Sequence, residues 1–143
     1  MRVGIASDHR GFKLKRQILE KCDFIDFGCN SEESTDFPLY AIKIGEAIKN
    51  KEIDRGILIC GSGIGMSIAC NKVKGVRCAK IENKEEAKYT RNDNDANVIS
   101  FSENHDIDEA LDMINVFLTT PFNTEEKYAR RLKQILDYED KNA

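Results

Sequence analysis

The chain has 143 residues, of which 41% are apolar and 33% are charged, and this balance predicts one domain with one core over residues 1–143. Its formal net charge of −3 argues against a general nucleic-acid or membrane-surface binder, because such proteins carry a net basic face. No stretch approaches the roughly 20 apolar residues of a membrane span, so we expect a cytoplasmic protein.

Taken in chain order, short apolar runs alternate with segments of helical periodicity. The predicted strands are 3–6, 24–27, 57–60, 76–79 and 98–101. The predicted helices, where apolar residues recur at i, i+3 and i+4, are 12–22, 40–48, 66–73, 87–91, 107–118 and 128–136. This alternation predicts a Rossmann-like three-layer α/β/α sandwich, with a five-stranded parallel sheet and an extended C-terminal helix.

The segments that follow the predicted strands are rich in glycine and in polar side chains. The most informative are 7–10, 28–30, 61–65 and 102–104. In open parallel sheets, ligands bind beyond the carboxyl ends of the strands. We therefore expect the functional site at that edge of the sheet.

A glycine-rich turn follows the third predicted strand, where residues 59–67 read ICGSGIGMS. Free backbone N–H groups in such a turn favour an anion, either a phosphate or a reaction oxyanion. A dinucleotide loop is the alternative, since Glu82 lies near the position of a ribose-binding acid. Met66 occupies the place of the third glycine, however, and the turn does not follow the first strand, so this alternative is disfavoured.

Cys60 immediately precedes this turn. A strand end beside a helix N-terminus favours the thiolate form, which makes Cys60 a candidate base or nucleophile. The chain has four further cysteines, Cys22, Cys29, Cys70 and Cys78, and we expect these to be small buried hydrophobic residues. An odd number without a CxxC pair predicts free thiols, and two histidines are too few for a usual zinc cluster, so we predict no metal.

The sequence resembles the ribose-5-phosphate isomerase B and galactose-6-phosphate isomerase family over nearly its whole length. The matching segments are Ser7-Asp8-His9 with Gly11-Phe12, Thr35-Asp36-Phe37-Pro38, 59–69, 71–73, 75–77, 94–98, and Thr120-Pro121-Phe122 with Arg130-Arg131. The block around Cys60 is the most specific of these. The resemblance implies an aldose–ketose isomerase that interconverts D-ribose 5-phosphate and D-ribulose 5-phosphate without a cofactor.

The resemblance also implies roles for individual residues. It makes Cys60 the base for proton transfer, and we group Ser62 and Asp93 with it as catalytic residues. The backbone around the turn would hold an enediolate oxygen through Gly61, Gly63, Ile64 and Gly65. The residues expected to bind the sugar and its phosphate are Asp8, His9, Asn94, Lys127, Arg130 and Arg131.

Several positions depart from the family pattern. Asp93 stands where many members have a histidine that opens the furanose ring, and Phe37 replaces a frequent tyrosine. Lys127-Tyr128 falls in a segment that usually reads Gly-Arg-His, and Asn104 replaces an arginine. These departures leave open an isomerase for a hexose 6-phosphate, either allose or galactose 6-phosphate. A nucleotide-binding regulatory module and an impaired paralogue that needs a partner chain are further alternatives.

We also expect a homodimer with shared active sites, or a dimer of such dimers. The resemblance and the apolar stripe on the C-terminal helix both favour this arrangement. Asp93 and Asn94 of one subunit would then border the cleft that contains Cys60 of the other. The partner molecules predicted are a small sugar phosphate and a second copy of the chain, with no nucleic acid and no membrane.

Overall fold

The computed structural model describes residues 1–142, which form five strands and six helices. In chain order these are β1 (Val3–Ser7), α1 (Phe12–Lys21), β2 (Ile25–Asp26), α2 (Phe37–Lys49), β3 (Arg55–Cys60), α3 (Ile64–Cys70), β4 (Cys78–Lys80), α4 (Lys84–Asn92), β5 (Val98–Ser102), α5 (Ile107–Thr119) and α6 (Glu126–Lys141). No helix within this range is long and apolar enough to cross a membrane.

The five strands form one parallel sheet in the order β2-β1-β3-β5-β4. At its centre, Ile57 of β3 is in register with Ile5 of β1 and Ile99 of β5. Because all strands run the same way, their ends define a carboxyl edge and an amino edge of the sheet. The predicted three-layer sandwich with a five-stranded parallel sheet is confirmed.

Alternate residues of β3 face opposite sides of the sheet, as expected for a pleated strand. Ile57 and Ile59 join a buried cluster formed with α1 and α5, which also contains Ala87 of α4. Leu58 and Cys60 join a second cluster, formed with α2 and α3. The side chain of Cys60 therefore faces the α2–α3 side of the sheet.

The strand at one edge of the sheet, β4, begins two residues later than the apolar run 76–79 suggests. Val76 is buried in the α2–α3 cluster, but its N–H donates to the carbonyl of Val73 in a turn instead of joining the sheet. Burial, not strand pairing, therefore explains the apolar character of the first part of this run.

The C-terminal helix α6 has no buried residue, and contacts near its two ends place it at the amino edge. Before its first turn, the Asn123 N–H donates to the carbonyl of Asn92 at the end of α4, at 3.0 Å. Near its end, Glu139 accepts a hydrogen bond from the Gly75 N–H at 3.1 Å. This placement confirms the extended C-terminal helix predicted from the sequence.

Candidate active site

The β3–α3 turn requires a glycine at position 63. Gly63 has a φ of +80°, in the left-handed region that favours glycine, and a Cβ built there would lie 2.8 Å from the Cα of Phe101 in β5. The turn is therefore packed directly against the backbone of the neighbouring strand. No side chain at this position fits without displacing β5 or the turn.

Two serines of β5 hold the carbonyl groups of this turn. The hydroxyl of Ser100 donates to the carbonyl of Gly63, and that of Ser102 donates to the carbonyl of Gly61, each at 2.7 Å. With the carbonyls fixed towards β5, the N–H groups of Ser62 and Gly65 have no acceptor within residues 1–142. Sequence reasoning singled out the segment that begins with Ser102 but missed Ser100 and the role of both hydroxyls, although hydroxyls at alternate positions of an otherwise apolar strand are a detectable signal.

Cys60 is the last residue of β3, and its side chain is nearly buried, with 5% of the residue exposed. The N–H of Gly63 donates to its Sγ at 3.1 Å. A hydrogen bond donated to sulfur stabilises negative charge on it. The thiol therefore lies where the sequence predicts a base, beside a turn with free N–H donors.

Ser62 and Phe37 form the exposed walls of the turn. The Oγ of Ser62 accepts a hydrogen bond from the Ile64 N–H at 3.1 Å, so its own O–H group is available to donate. The ring of Phe37 lies over Gly65, where an added Cβ would be 2.7 Å from the ring carbon Cε1. This wall has no hydroxyl, because the residue is phenylalanine.

Asp8 and His9 follow β1 at the same edge. The N–H of Asp8 donates to the carbonyl of Ile59 at 3.3 Å, which places this segment next to the end of β3. One carboxylate oxygen of Asp8 accepts hydrogen bonds from the N–H groups of Arg10 and Gly11, so it shapes the start of α1. His9 is half-buried. The carboxyl edge thus brings together Asp8, His9, Cys60 and the predicted turn residues 61–65.

The remaining predicted residues lie at the amino edge. Asp93 caps the C-terminal end of α4, and Asn94 follows it. The next residue, Asp95, forms ion pairs with Arg77 and Arg91. Asp95 also lies near Arg55, the first residue of β3. The length of β3, six residues, separates this region from Cys60 by roughly 17 Å. Within one chain, Asp93 and Asn94 therefore do not approach Cys60.

The predicted phosphate-binding cations are on α6 and share this location. Arg130 forms an ion pair with Glu126 on its own helix, with a shortest distance of 2.6 Å. The Nζ of Lys127 lies 5.0 Å from the centroid of the Tyr128 ring. Arg131 is exposed. The predicted site is thus divided into two groups at opposite edges of the sheet.

Each edge carries an open cavity. At the carboxyl edge, a cavity of about 550 Å³ is lined by Gly61, Ser62 and Ile64, together with Asn104 and His105. At the amino edge, a cavity of about 560 Å³ includes Asn94 and the α6 residues Ile135 and Tyr138. Within residues 1–142 no cluster of three or more histidine, cysteine or acidic side chains could hold a metal ion.

The other cysteines have different surroundings. Cys70 and Cys78 are buried against each other, and the hydrogen bond from Cys78 together with burial raises the pKa of Cys70 far above its ordinary value. Burial also raises the pKa of Cys22. All five cysteines are free thiols. Among them, only Cys60 adjoins the glycine turn.

Comparisons with known proteins identify relatives that match nearly the whole chain. The chain is 44% identical to YwlF of Bacillus subtilis (strain 168) over 150 residues, with 99% of both chains covered. Its structure superimposes on ribose-5-phosphate isomerase B of Clostridium thermocellum with a TM-score of 0.93, 40% identity and complete coverage of both chains.

A third relative is known with a bound ligand. Ribose-5-phosphate isomerase B of Mycoplasma genitalium, solved with bound ribulose 5-phosphate, matches with a TM-score of 0.85 and 32% identity, covering 97% of this chain and 96% of that one. The family model described as Ribose/Galactose Isomerase matches residues 3–135. The chain therefore belongs to the Ribose/Galactose Isomerase family.

Proposed function

We propose that the chain is an aldose–ketose isomerase that interconverts D-ribose 5-phosphate and D-ribulose 5-phosphate without a cofactor. The observation that carries the proposal is the pairing of Cys60 with a turn in which the N–H groups of Ser62 and Gly65 are free. Membership of the family and the likeness to ribose-5-phosphate isomerases B support it. We propose one domain over residues 1–143, and a cytoplasmic location in keeping with five free thiols.

The chemistry moves one proton between two carbons of the open-chain sugar. The thiolate of Cys60 removes the proton from C2 of the aldose, and the electron pair moves to form an enediolate with negative charge on the C1 oxygen. The free N–H groups of Ser62 and Gly65, with the Ser62 hydroxyl, supply donors for that oxygen. The proton of the C2 hydroxyl passes to the C1 oxygen as the C2 carbonyl forms, and return of the carbon-bound proton from the Cys60 thiol to C1 gives the ketose and regenerates the thiolate.

Substrate recognition needs groups at both ends of the sugar. Asp8 and His9 lie beside the turn and contact the sugar or its phosphate. Lys127, Arg130 and Arg131 supply the positive charge that a phosphate requires. These cations lie at the amino edge, so they must come from a second subunit to reach the same substrate.

A homodimer with shared sites explains this division. Exposed apolar side chains cover the α2–α3 surface next to the Cys60 turn, and they are Phe37, Leu39, Ile42, Ile64 and Ile68. A second copy on this surface would cover them and bring its own Asp93 and Asn94 to the cleft. Asp93 would then take the ring-opening task, for which its carboxylate can transfer a proton. Association of such dimers into a tetramer is compatible with this arrangement.

The test is a comparison of kcat/KM for ribose 5-phosphate, allose 6-phosphate and galactose 6-phosphate. The proposal predicts that ribose 5-phosphate has the highest value. A higher value for either hexose phosphate would reassign the substrate, and the absence of a hydroxyl at Phe37 would then explain the change. Thermal stabilisation by NAD or ATP, without any effect of pentose phosphates, would indicate a nucleotide-binding module instead.

A further inference from the structure

The ring of His9 is oriented by the backbone of a loop that precedes α2. The N–H of Thr35 points at Nδ1 of His9, with a nitrogen–nitrogen distance of 3.1 Å. A backbone N–H can only donate a hydrogen bond. Nδ1 must therefore be the acceptor, so it carries no proton in this arrangement.

Thr35 is held in place from the other side. Its Oγ1 lies 3.0 Å from the hydroxyl of Tyr40, one turn into α2. The Tyr40 ring packs on Gly28, where an added Cβ would be 3.0 Å from the ring. Cys29 lies at the other end of this loop, and its carbonyl accepts a hydrogen bond from the Nζ of the buried Lys15 at 2.6 Å. The amide that faces His9 thus belongs to a loop fixed at both ends.

We infer that Thr35 is a positioning residue that fixes the neutral tautomer of His9 with its proton on Nε2. The inference rests on the proposed function for the identity of the substrate, but the tautomer itself follows from the hydrogen bond alone. Neutral imidazole has one donor and one acceptor nitrogen, so an acceptor at Nδ1 leaves N–H at Nε2. His9 then offers the substrate a hydrogen-bond donor and cannot act as its base.

This assignment specifies what His9 can bind. A donor at Nε2 matches an oxygen that only accepts, such as a phosphate oxygen or the ring oxygen of a sugar. It disfavours a ligand that presents a hydroxyl proton or an ammonium group at that position. His9 therefore selects for the phosphorylated end or the ring oxygen, and proton abstraction is left to Cys60.

Nitrogen-15 NMR of the imidazole rings tests the tautomer directly on the full chain without substrate. Spectra are recorded at a pH well above the range in which histidine usually titrates, and His105→Gln assigns the signals, because the chain has two histidines. The inference predicts a protonated Nε2 and an unprotonated Nδ1 for His9. A proton on Nδ1, or an even mixture of tautomers, would overturn it whether or not the chain is an isomerase.

A matched pair of variants tests the origin of the constraint. Thr35→Val removes the hydroxyl that contacts Tyr40 but keeps the backbone N–H, whereas Thr35→Pro removes both. We expect Thr35→Val to retain the Nε2 proton and Thr35→Pro to give a mixture of tautomers. If folded Thr35→Pro keeps the single tautomer, the amide is not the cause. If that variant does not fold, the measurement on the unaltered chain still decides the tautomer.

Amide substitutions test the donor role during turnover. The side-chain nitrogen of glutamine can occupy the position of Nε2, whereas that of asparagine reaches only the position of Nδ1. Loss of a hydrogen bond to a charged group should raise KM for ribose 5-phosphate about 10- to 100-fold in His9→Asn. His9→Gln should raise KM clearly less. Equal increases in KM for the two variants would contradict a donor at Nε2. If the unaltered chain has the Nε2 proton but does not isomerise ribose 5-phosphate, the proposed function is contradicted instead.

Discussion

The N–H of Gly63 donates a 3.1 Å hydrogen bond to the Sγ of Cys60, so the residue that shapes the glycine turn also contacts the sulfur. Two requirements meet at Gly63. Its φ of +80° excludes most side chains, and its missing Cβ allows the turn to pack on Phe101. The geometry of the turn and the hydrogen bonding of the Cys60 sulfur are therefore coupled through one residue.

Gly63→Ala should lower both stability and turnover, and Gly75→Ala is its matched control. Gly75 also has a positive φ, of +90°, but nothing lies within 4 Å of its missing Cβ. The left-handed backbone alone should cost Gly75→Ala about 1–2 kcal/mol of unfolding free energy, with normal kcat. Gly63→Ala should lose more, and its kcat should fall. Urea unfolding and steady-state kinetics measure both effects, and equal behaviour of the two variants would refute a role for the close packing.

The five cysteines should differ in their reaction with iodoacetamide. Alkylation requires the thiolate, and a raised pKa means a smaller thiolate fraction at any pH below that pKa. Cys70 and Cys22 have raised pKa values, so their labelling at neutral pH should be slow and should increase only as the pH rises towards those values. Cys60 should be labelled in step with the loss of activity, and sugar phosphate should protect it. Peptide mapping that finds Cys22 or Cys70 labelled before inactivation would contradict this order.

The order of elements could be predicted from the sequence because buried strands appear as short apolar runs, whereas the helices that cover them have apolar residues at helical spacing. The runs at 57–60 and 98–101 became the central strands, where both faces are buried. The strand predicted at 76–79 was less accurate, because Val76 is buried in a turn and does not pair in the sheet. Periodicity cannot distinguish these two reasons for burial.

The turn and its cysteine could also be found from the sequence, because three alternating glycines after a strand have few structural explanations. The hydrogen bonds from Ser100 and Ser102 to its carbonyls could not, since these serines contact the turn only through the pairing of β3 with β5. The hydrogen bond from the Thr35 N–H to His9 could not be predicted either, because every residue except proline has a backbone N–H. The separation of Cys60 from Asp93 within one chain follows from the parallel alternation, because α4 connects the carboxyl end of β4 to the amino end of β5.

Mixing two inactive variants should restore activity if sites are shared between subunits. In a dimer of Cys60→Ala with Asp93→Asn, one site carries both substitutions and the other carries neither. Random reassociation should therefore give about a quarter of the activity of the unaltered protein, because half of the dimers have one intact site. The coupled assay is run after unfolding and refolding the mixture. No recovery above the separate variants would contradict a shared site.

Arg131→Ala should mainly raise KM for ribose 5-phosphate. A contact to a remote phosphate stabilises the ground state and the transition state alike, so its loss affects binding more than kcat. Loss of a charge-assisted hydrogen bond predicts a rise of about 10-fold or more. Lys133→Ala on the same helix is the control, because Lys133 pairs with Asp137 at 2.6 Å and has no predicted contact to substrate. An unchanged KM in Arg131→Ala would remove this residue from the phosphate site.

The central claim is that Cys60 carries the proton between C1 and C2, and the most direct test is the isomerisation rate of Cys60→Ala. General-base catalysis contributes about 10²–10⁴-fold, so kcat for ribose 5-phosphate should fall by that factor while the sugar phosphate still binds. Cys60→Ser should recover little, because a hydroxyl is far less acidic than a thiol. A Cys60→Ala protein that folds normally and keeps near-native kcat would contradict the account and leave Asp8 or Asp93 as the next candidate base.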